Sequence, residues 1–154
     1  MLKRCCILIF LLIALGTLVG CQQARDPDVD ALAHSLLDSV IQEEMLYIAP
    51  DRLNRFYSDL DSSILSSVTV YKCAEAILAD EIAIFQVKQA NQMPALRNTL
   101  ANHYAEQTEI YASYAPVEAD RIRKRLAWEK GRWLIIVISA DNQQAEQLIE
   151  SAFK

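Results

Sequence analysis

The sequence predicts an α+β domain: a four-stranded antiparallel sheet built from two hairpins, with helices packed on one face. Three observations carry that expectation. Apolar residues recur at helical spacing in three separate stretches, and β-branched and apolar runs come in two pairs with short connections. The resulting order is helix, hairpin, helix, hairpin, helix, and hairpins imply antiparallel pairing.

Each element has its own signal. Asp26-Pro27 is a good helix start, and after it Val29, Leu32, Ala33, Leu36, Leu37, Val40 and Ile41 cover one broad face. A looser segment with Tyr47, Ile48, Pro50 and Phe56-Tyr57 follows. Strands are expected at Ile64–Cys73 and Glu81–Lys88, joined through Glu75–Asp80. Asn91–Tyr114 reads as a long helix with Pro94 in its first turn, broken by Pro116. Val117–Arg125 fits either a short helix or a strand entry. Leu126–Glu129 and Arg132–Ala140 form a second hairpin across Lys130-Gly131, where glycine supplies a positive φ. In that register Trp128 faces Trp133 and Glu129 faces Arg132, pairs that stabilise a hairpin. Both tryptophans are read as structural rather than ligand-stacking. Trp133–Ile138 is apolar on both alternating sets, the mark of a central strand. Asp141 caps a final helix carrying Ala145, Leu148, Ile149, Ala152 and Phe153.

The first 20 residues read as a removable leader. Lys3 and Arg4 form a positive start, an apolar stretch runs from Cys5 to Val19, and Leu18-Val19-Gly20-Cys21 matches the bacterial lipobox. On this reading Cys21 receives a diacylglyceryl group and a peptidase cuts before it; the small residues let the backbone enter the enzyme. An uncleaved membrane anchor and an ordinary secretory signal are the rival readings, and all three place the domain outside the cytoplasm. The expected organisation is residues 1–20 as lipoprotein signal peptide, 21–27 as lipidated cysteine and short tether, and 28–154 as one α+β domain. Acyl chains hold such a protein on the outer face of the cell membrane. Membrane lipid, through diacylglyceryl-Cys21, is thus the first expected partner, and a neighbouring membrane protein the second.

Composition narrows the rest. The formal charge is −5, and the leader removes only the cations Lys3 and Arg4, so the remainder is more acidic still. That argues against nucleic acid as a partner. Two of the three glycines lie in the leader, which leaves Gly-loop nucleotide sites and propellers unsupported. Cys73 is the one cysteine left after the leader and Cys21, so no intramolecular disulfide is possible; it reads as a small buried hydrophobe, with a reactive thiol as the alternative.

Residues capable of chemistry are sparse. His103, Gln107, Tyr111 and Tyr114 share one face of the long helix with Met93, Leu96, Leu100 and Tyr104. They are candidate contacts for a ligand or partner; alternatively, His103 and Gln107 hydrogen-bond the sheet or tyrosine hydroxyls and fix how helix and sheet dock. No nucleophile or carboxylate is placed beside His103, so no catalytic residue is assigned. His34 with Asp38 reads as a surface pair, and Asp59-Leu60-Asp61-Ser62-Ser63 as a turn that lacks the glycine and glutamate of a calcium loop. No metal or cofactor is expected. Asp80-Glu81 are neighbours whose side chains point apart on a strand, a poor acid/base pair. Arg121, Arg123, Lys124 and Arg125 form a basic cluster, read either as a membrane-facing patch or as a solvated face balanced by Glu118, Asp120 and Glu129.

Ala79-Asp80-Glu81-Ile82-Ala83-Ile84-Phe85 behind a lipobox leader resembles the bacterial lipoprotein family catalogued as domain of unknown function 4358. Gln107, Tyr111, Tyr114, Pro116 and Glu118 are similar to that family's Q-x3-aromatic-x2-Y-x-P-x-E pattern, Gly131 and Trp133 to its closing hairpin, and Tyr57 to a tyrosine after its first helix. His103 stands where the resemblance implies arginine, and Lys124 and Arg125 stand where it implies small or amide residues. The resemblance implies a small extracytoplasmic lipoprotein of monoderm bacteria and no known activity. The functional expectation is therefore a non-enzymatic adaptor or ligand-binding module at the cell envelope. The alternative is an envelope enzyme or accessory subunit with a polar site around His103 and Gln107.

Overall fold

The structure, a computed structural model, describes residues 26–154. The leader, Cys21 and most of the tether lie outside the described residues. Helix α1, Val29–Val40, begins where the Asp28 side chain accepts from the Ala31 amide at 3.0 Å. A short strand β1, Met45–Tyr47, and a 3-10 turn, Pro50–Arg55, follow. Strand β2 is Leu65–Cys73 and β3 is Glu81–Val87. Helix α2, Met93–Ala112, is entered through a capping box between Gln89 and Gln92. Helix α3 is Pro116–Arg123, so the ambiguous stretch is helical, with proline in its first turn. Strands β4, Leu126–Lys130, and β5, Trp133–Ile138, precede helix α4, Asn142–Ala152, capped by Asp141. Among the described residues no helix is long and apolar enough to cross a membrane.

The fold is α+β and its sheet is antiparallel, with order β1-β2-β3-β5-β4. Three details differ from expectation. The sheet has five strands rather than four, because Met45–Tyr47 pairs with Tyr71–Cys73 at one edge. Helices cover both faces rather than one. Along β3 and β5 every residue is buried. Ile82, Ile84, Ile135 and Val137 pack with Leu32, Leu36, Ala145 and Ile149 of α1 and α4. Ala83, Phe85, Leu134 and Ile136 pack with Leu96, Leu100, Tyr104 and Ile122 of α2 and α3. Two apolar helical faces on each side need two apolar sheet faces.

The third difference is the register of the last hairpin. Its turn is Gly131-Arg132, so Lys130 faces Trp133, Trp128 faces Ile135 and Glu129 faces Leu134. Glycine takes the first central position with φ +62, as two-residue turns of the II′ class require, and this moves both expected pairs out of line. Trp128 and Trp133 meet instead through Phe153, whose ring lies 4.5 Å from one and 5.7 Å from the other.

Strand registry defines two poles. Gln86 pairs with Trp133 at one end of β3 and Glu81 with Ile138 at the other. Asp26 sits at the first end, bound by Gln86 Nε2 at 3.2 Å and Trp133 Nε1 at 3.4 Å. The β2–β3 connection, residues 74–80, lies at the second, as do α3 and the start of β4, where Leu126 faces Val137.

Candidate functional site: a buried carboxylate between helix and sheet

Glu81 opens β3 in phase with Ala83 and Phe85, so its side chain enters the core beneath α2 rather than solvent; the residue is 1% exposed. A carboxylate there is tolerated only if its charge and lone pairs are met. Tyr57 and Tyr104 both donate to Oε1, and Lys72, its cross-strand neighbour on β2, forms an ion pair with Oε2. Burial alone would raise the Glu81 pKa; the charge of Lys72 and the three hydrogen bonds outweigh it and hold the group below its ordinary value. Burial first, and then the Glu81 charge, push the Tyr57 and Tyr104 phenols well above theirs, so both remain protonated donors.

Beside this centre lies a second one. Asp80, the residue before β3, takes both arms of Arg121, at 2.5 and 2.9 Å. Arg121 also pairs with Glu118 at 2.8 Å, and Glu118 accepts from the Ala79 amide at 2.9 Å. The Tyr111 hydroxyl donates to the carbonyls of Ala76 and Leu78 at 3.1 Å each. Helices α2 and α3 thus grip the β2–β3 connection along its length. Asp80 and Glu81 each anchor a separate network.

The residues singled out from sequence are distributed between these networks. His103 lies at the rim, its ring 4.6 Å from that of Tyr57 and 4.9 Å from that of Tyr104. Its Nε2 is buried without a hydrogen-bond partner, and burial lowers its pKa. A cleft of about 40 Å³ beside it is lined by Asp59, Asn102 and Glu106. Gln107 and Tyr111 line a different cleft, over Glu81 and Lys72, with a cavity volume of about 10 Å³. Space of that size holds one water. Tyr114 is half exposed and stacks on Tyr111, ring centroids 5.2 Å apart. The four residues therefore do not line one pocket.

The basic cluster is likewise divided. Arg121 is committed to Asp80 and Glu118, Lys124 pairs with Asp120 at 2.6 Å, and Arg125 stacks over Tyr104 at 4.7 Å with Nη1 donating to the Ile122 carbonyl. Arg123 is exposed. All four stand at the pole opposite Asp26. Cys73 is half-buried and free, and burial raises its pKa, so it lacks thiolate character. His34 and Asp38 are exposed and form no ion pair, whereas Asp61 makes the expected turn by accepting from the Ser63 amide at 2.9 Å.

Sequence reading passed over Tyr57, Lys72, Glu81 and Tyr104 as a centre. The signal was present: a lone acid in phase with Ala83 and Phe85 on a doubly buried strand has to find a cation and donors inside the core.

Together these features define a small α+β domain with a closed polar core between a long helix and a mixed-burial sheet. The chain belongs to the family described as domain of unknown function DUF4358, whose family model matches residues 38–139. No curated protein and no solved structure matches it. The matched span includes both networks, so Ala79-Asp80-Glu81 and the Tyr111–Glu118 stretch, far apart in sequence, meet at one corner of the fold.

Proposed function

We propose that this chain is a lipoprotein held on the outer face of the cell membrane through diacylglyceryl-Cys21, where it acts as a non-enzymatic adaptor or ligand-binding module. The observation that carries the non-enzymatic part is closure of the Glu81 centre. Its carboxylate, both phenols and the Lys72 ammonium are spent on one another, and the cleft above them has room for one water. A carboxylate whose charge is met inside the core, with space above it for one water, is not presented to a substrate. The lipobox at Leu18–Cys21 supports the anchor, and the short stretch before Asp26 keeps the domain near the membrane. Intact mass and membrane fractionation of wild type and Cys21→Ala, with crosslinking of wild type in its native membrane, test this. Lipid mass at Cys21 and one dominant crosslinked protein are expected; a wild type without lipid overturns the anchor.

A second reading, an enzyme or accessory subunit, draws on His103, whose buried Nε2 lacks a partner beside a polar cleft. It requires a turnover that His103→Ala abolishes while the melting temperature holds. Full activity in that variant removes the site.

A further inference from the structure

The anchor and the fold together determine which pole meets the bilayer. We infer that the pole bearing Asp26 rests against anionic lipid headgroups through Lys88, Lys130 and Arg132, with the β2–β3 connection turned away; this rests on the lipid-anchor reading above.

Reach is the first argument. From Cys21 to Asp26 the chain spans at most roughly 18 Å even when fully extended. Asp26 is held at this pole by Gln86 and Trp133, and Arg132 Nη2 lies 3.6 Å from its carboxylate. The opposite pole begins a sheet-length further on, roughly 17 Å along β3 at about 3.4 Å per residue. The anchored molecule therefore brings the Lys130-Gly131-Arg132 turn and the end of β3 to the surface first.

Charge is the second. Lys88 and Lys130 are exposed, and the Arg132 side chain is 41% exposed. Lys130 reaches the Phe153 carbonyl at 2.9 Å, which brings Lys154 to the same pole. The opposing acids are Asp26, the exposed Asp28 two residues on, and Asp61, the last close enough to Lys88 for their charges to interact. Arg97 and Glu129 close on each other. At the far pole Glu43, Glu44 and Glu75 are exposed and form no ion pair; Arg121 and Lys124 are paired with acids, and Arg123 and Arg125 stand without an ion pair. The first pole thus carries a small excess of cations and the far pole an excess of acids, a polarity that favours the first against an anionic surface. None of the exposed large apolar side chains lies in the turns at 88–89 or 130–132, so the contact is electrostatic and screened by salt. Each well-placed basic residue strengthens such contact by about fivefold.

Full-length lipidated chain in nanodiscs of phosphatidylcholine, with or without phosphatidylglycerol, tests the orientation. A fluorescent residue replaces Gln89 near the turn or Ile77 at the far pole, with a quencher on the lipid headgroups. Quenching at position 89 is expected to rise by about twofold or more with phosphatidylglycerol, and position 77 to stay unquenched in both. The triple variant Lys88→Gln, Lys130→Gln, Arg132→Gln should lose the rise, as should wild type in high salt. Arg123→Gln should keep it. Equal quenching at both positions, or a rise that survives the triple variant, overturns the inference while leaving the anchor intact. Absence of lipid on the purified chain overturns both, and intact mass tells the two failures apart.

Discussion

Tyr57 and Tyr104 donate to the same oxygen, Oε1 of Glu81, one from the segment after the first 3-10 turn and the other from the middle of α2. Their shared acceptor ties three separate parts of the chain to one atom. Because hydrogen bonds to a charged acceptor contribute about 1.5–3 kcal/mol, Tyr57→Phe and Tyr104→Phe should each cost about that much. Glu81→Ala should cost about 3–5 kcal/mol, since it strands Lys72 and both phenols. Urea unfolding checks this, and the tyrosine pair should be non-additive in a double-mutant cycle.

Stability should form a plateau across neutral pH and fall on both sides. The Glu81 pKa is lowered on folding from its ordinary 4.5, so the unfolded chain binds the proton more readily and stability drops as pH falls through that range. His103 is lowered from 6.5, so acidification below about pH 6.5 also favours the unfolded state. Tyr57 and Tyr104 are raised above 10.0, so above about pH 10 the unfolded chain releases protons that the native state keeps. Stability should decline there too. Thermal melts across pH should show the three limbs; His103→Asn should lose the one nearest neutrality, and Tyr104→Phe should soften the alkaline one.

Arg121→Gln should loosen the β2–β3 connection. It leaves Asp80, 5% exposed, and Glu118 as uncompensated neighbours. A loss of about 2 kcal/mol is expected, below the fully buried case because Arg121 is partly solvated. Hydrogen exchange at the Ala79 amide should accelerate along with it. Arg97→Gln, which breaks an exposed pair with Glu129, should cost less than about 1 kcal/mol.

Gly131→Ala isolates a backbone effect. A Cβ at this position meets nothing within 4 Å, so the cost comes from φ +62 alone. About 1 kcal/mol is expected, and less for Gly131→Asn, which tolerates that region better. Melting temperatures of the two variants give the comparison.

Much of the fold was legible because its strands and helices have strong periodicity. Val68–Cys73, Glu81–Val87 and Trp133–Ile138 announced themselves, and each helix had a cap or a proline at its start. Strand β1 was not legible: three residues behind Glu43-Glu44 show no alternation, and they become a strand only because β2 offers an edge. The second helical layer could have been inferred, since a strand apolar on both sets, such as Trp133–Ile138, cannot leave one face wet. The Glu81 centre was not legible for a related reason. Asp80-Glu81 read only as adjacent carboxylates that make a poor acid/base pair, while His103 and Gln107 attracted attention as polar groups on an apolar helix. Burial of Glu81 depends on the phase of its strand and on Lys72 across from it, a relationship that emerges only when two strands are aligned.

The strand order has a consequence for how the chain acquires its structure. Strand β5 lies between β3 and β4, and both core layers close against it. Nothing before Trp133 can complete either layer, so a nascent chain carries the apolar edge of β3 unpaired until the last hairpin has emerged. Pairing β3 with β5 closes a long loop containing all of α2 and α3, a non-local step of the kind that slows folding. Folding should thus be late and all-or-none, and an amino-terminal fragment ending at Arg125 should remain unfolded and seek other strands.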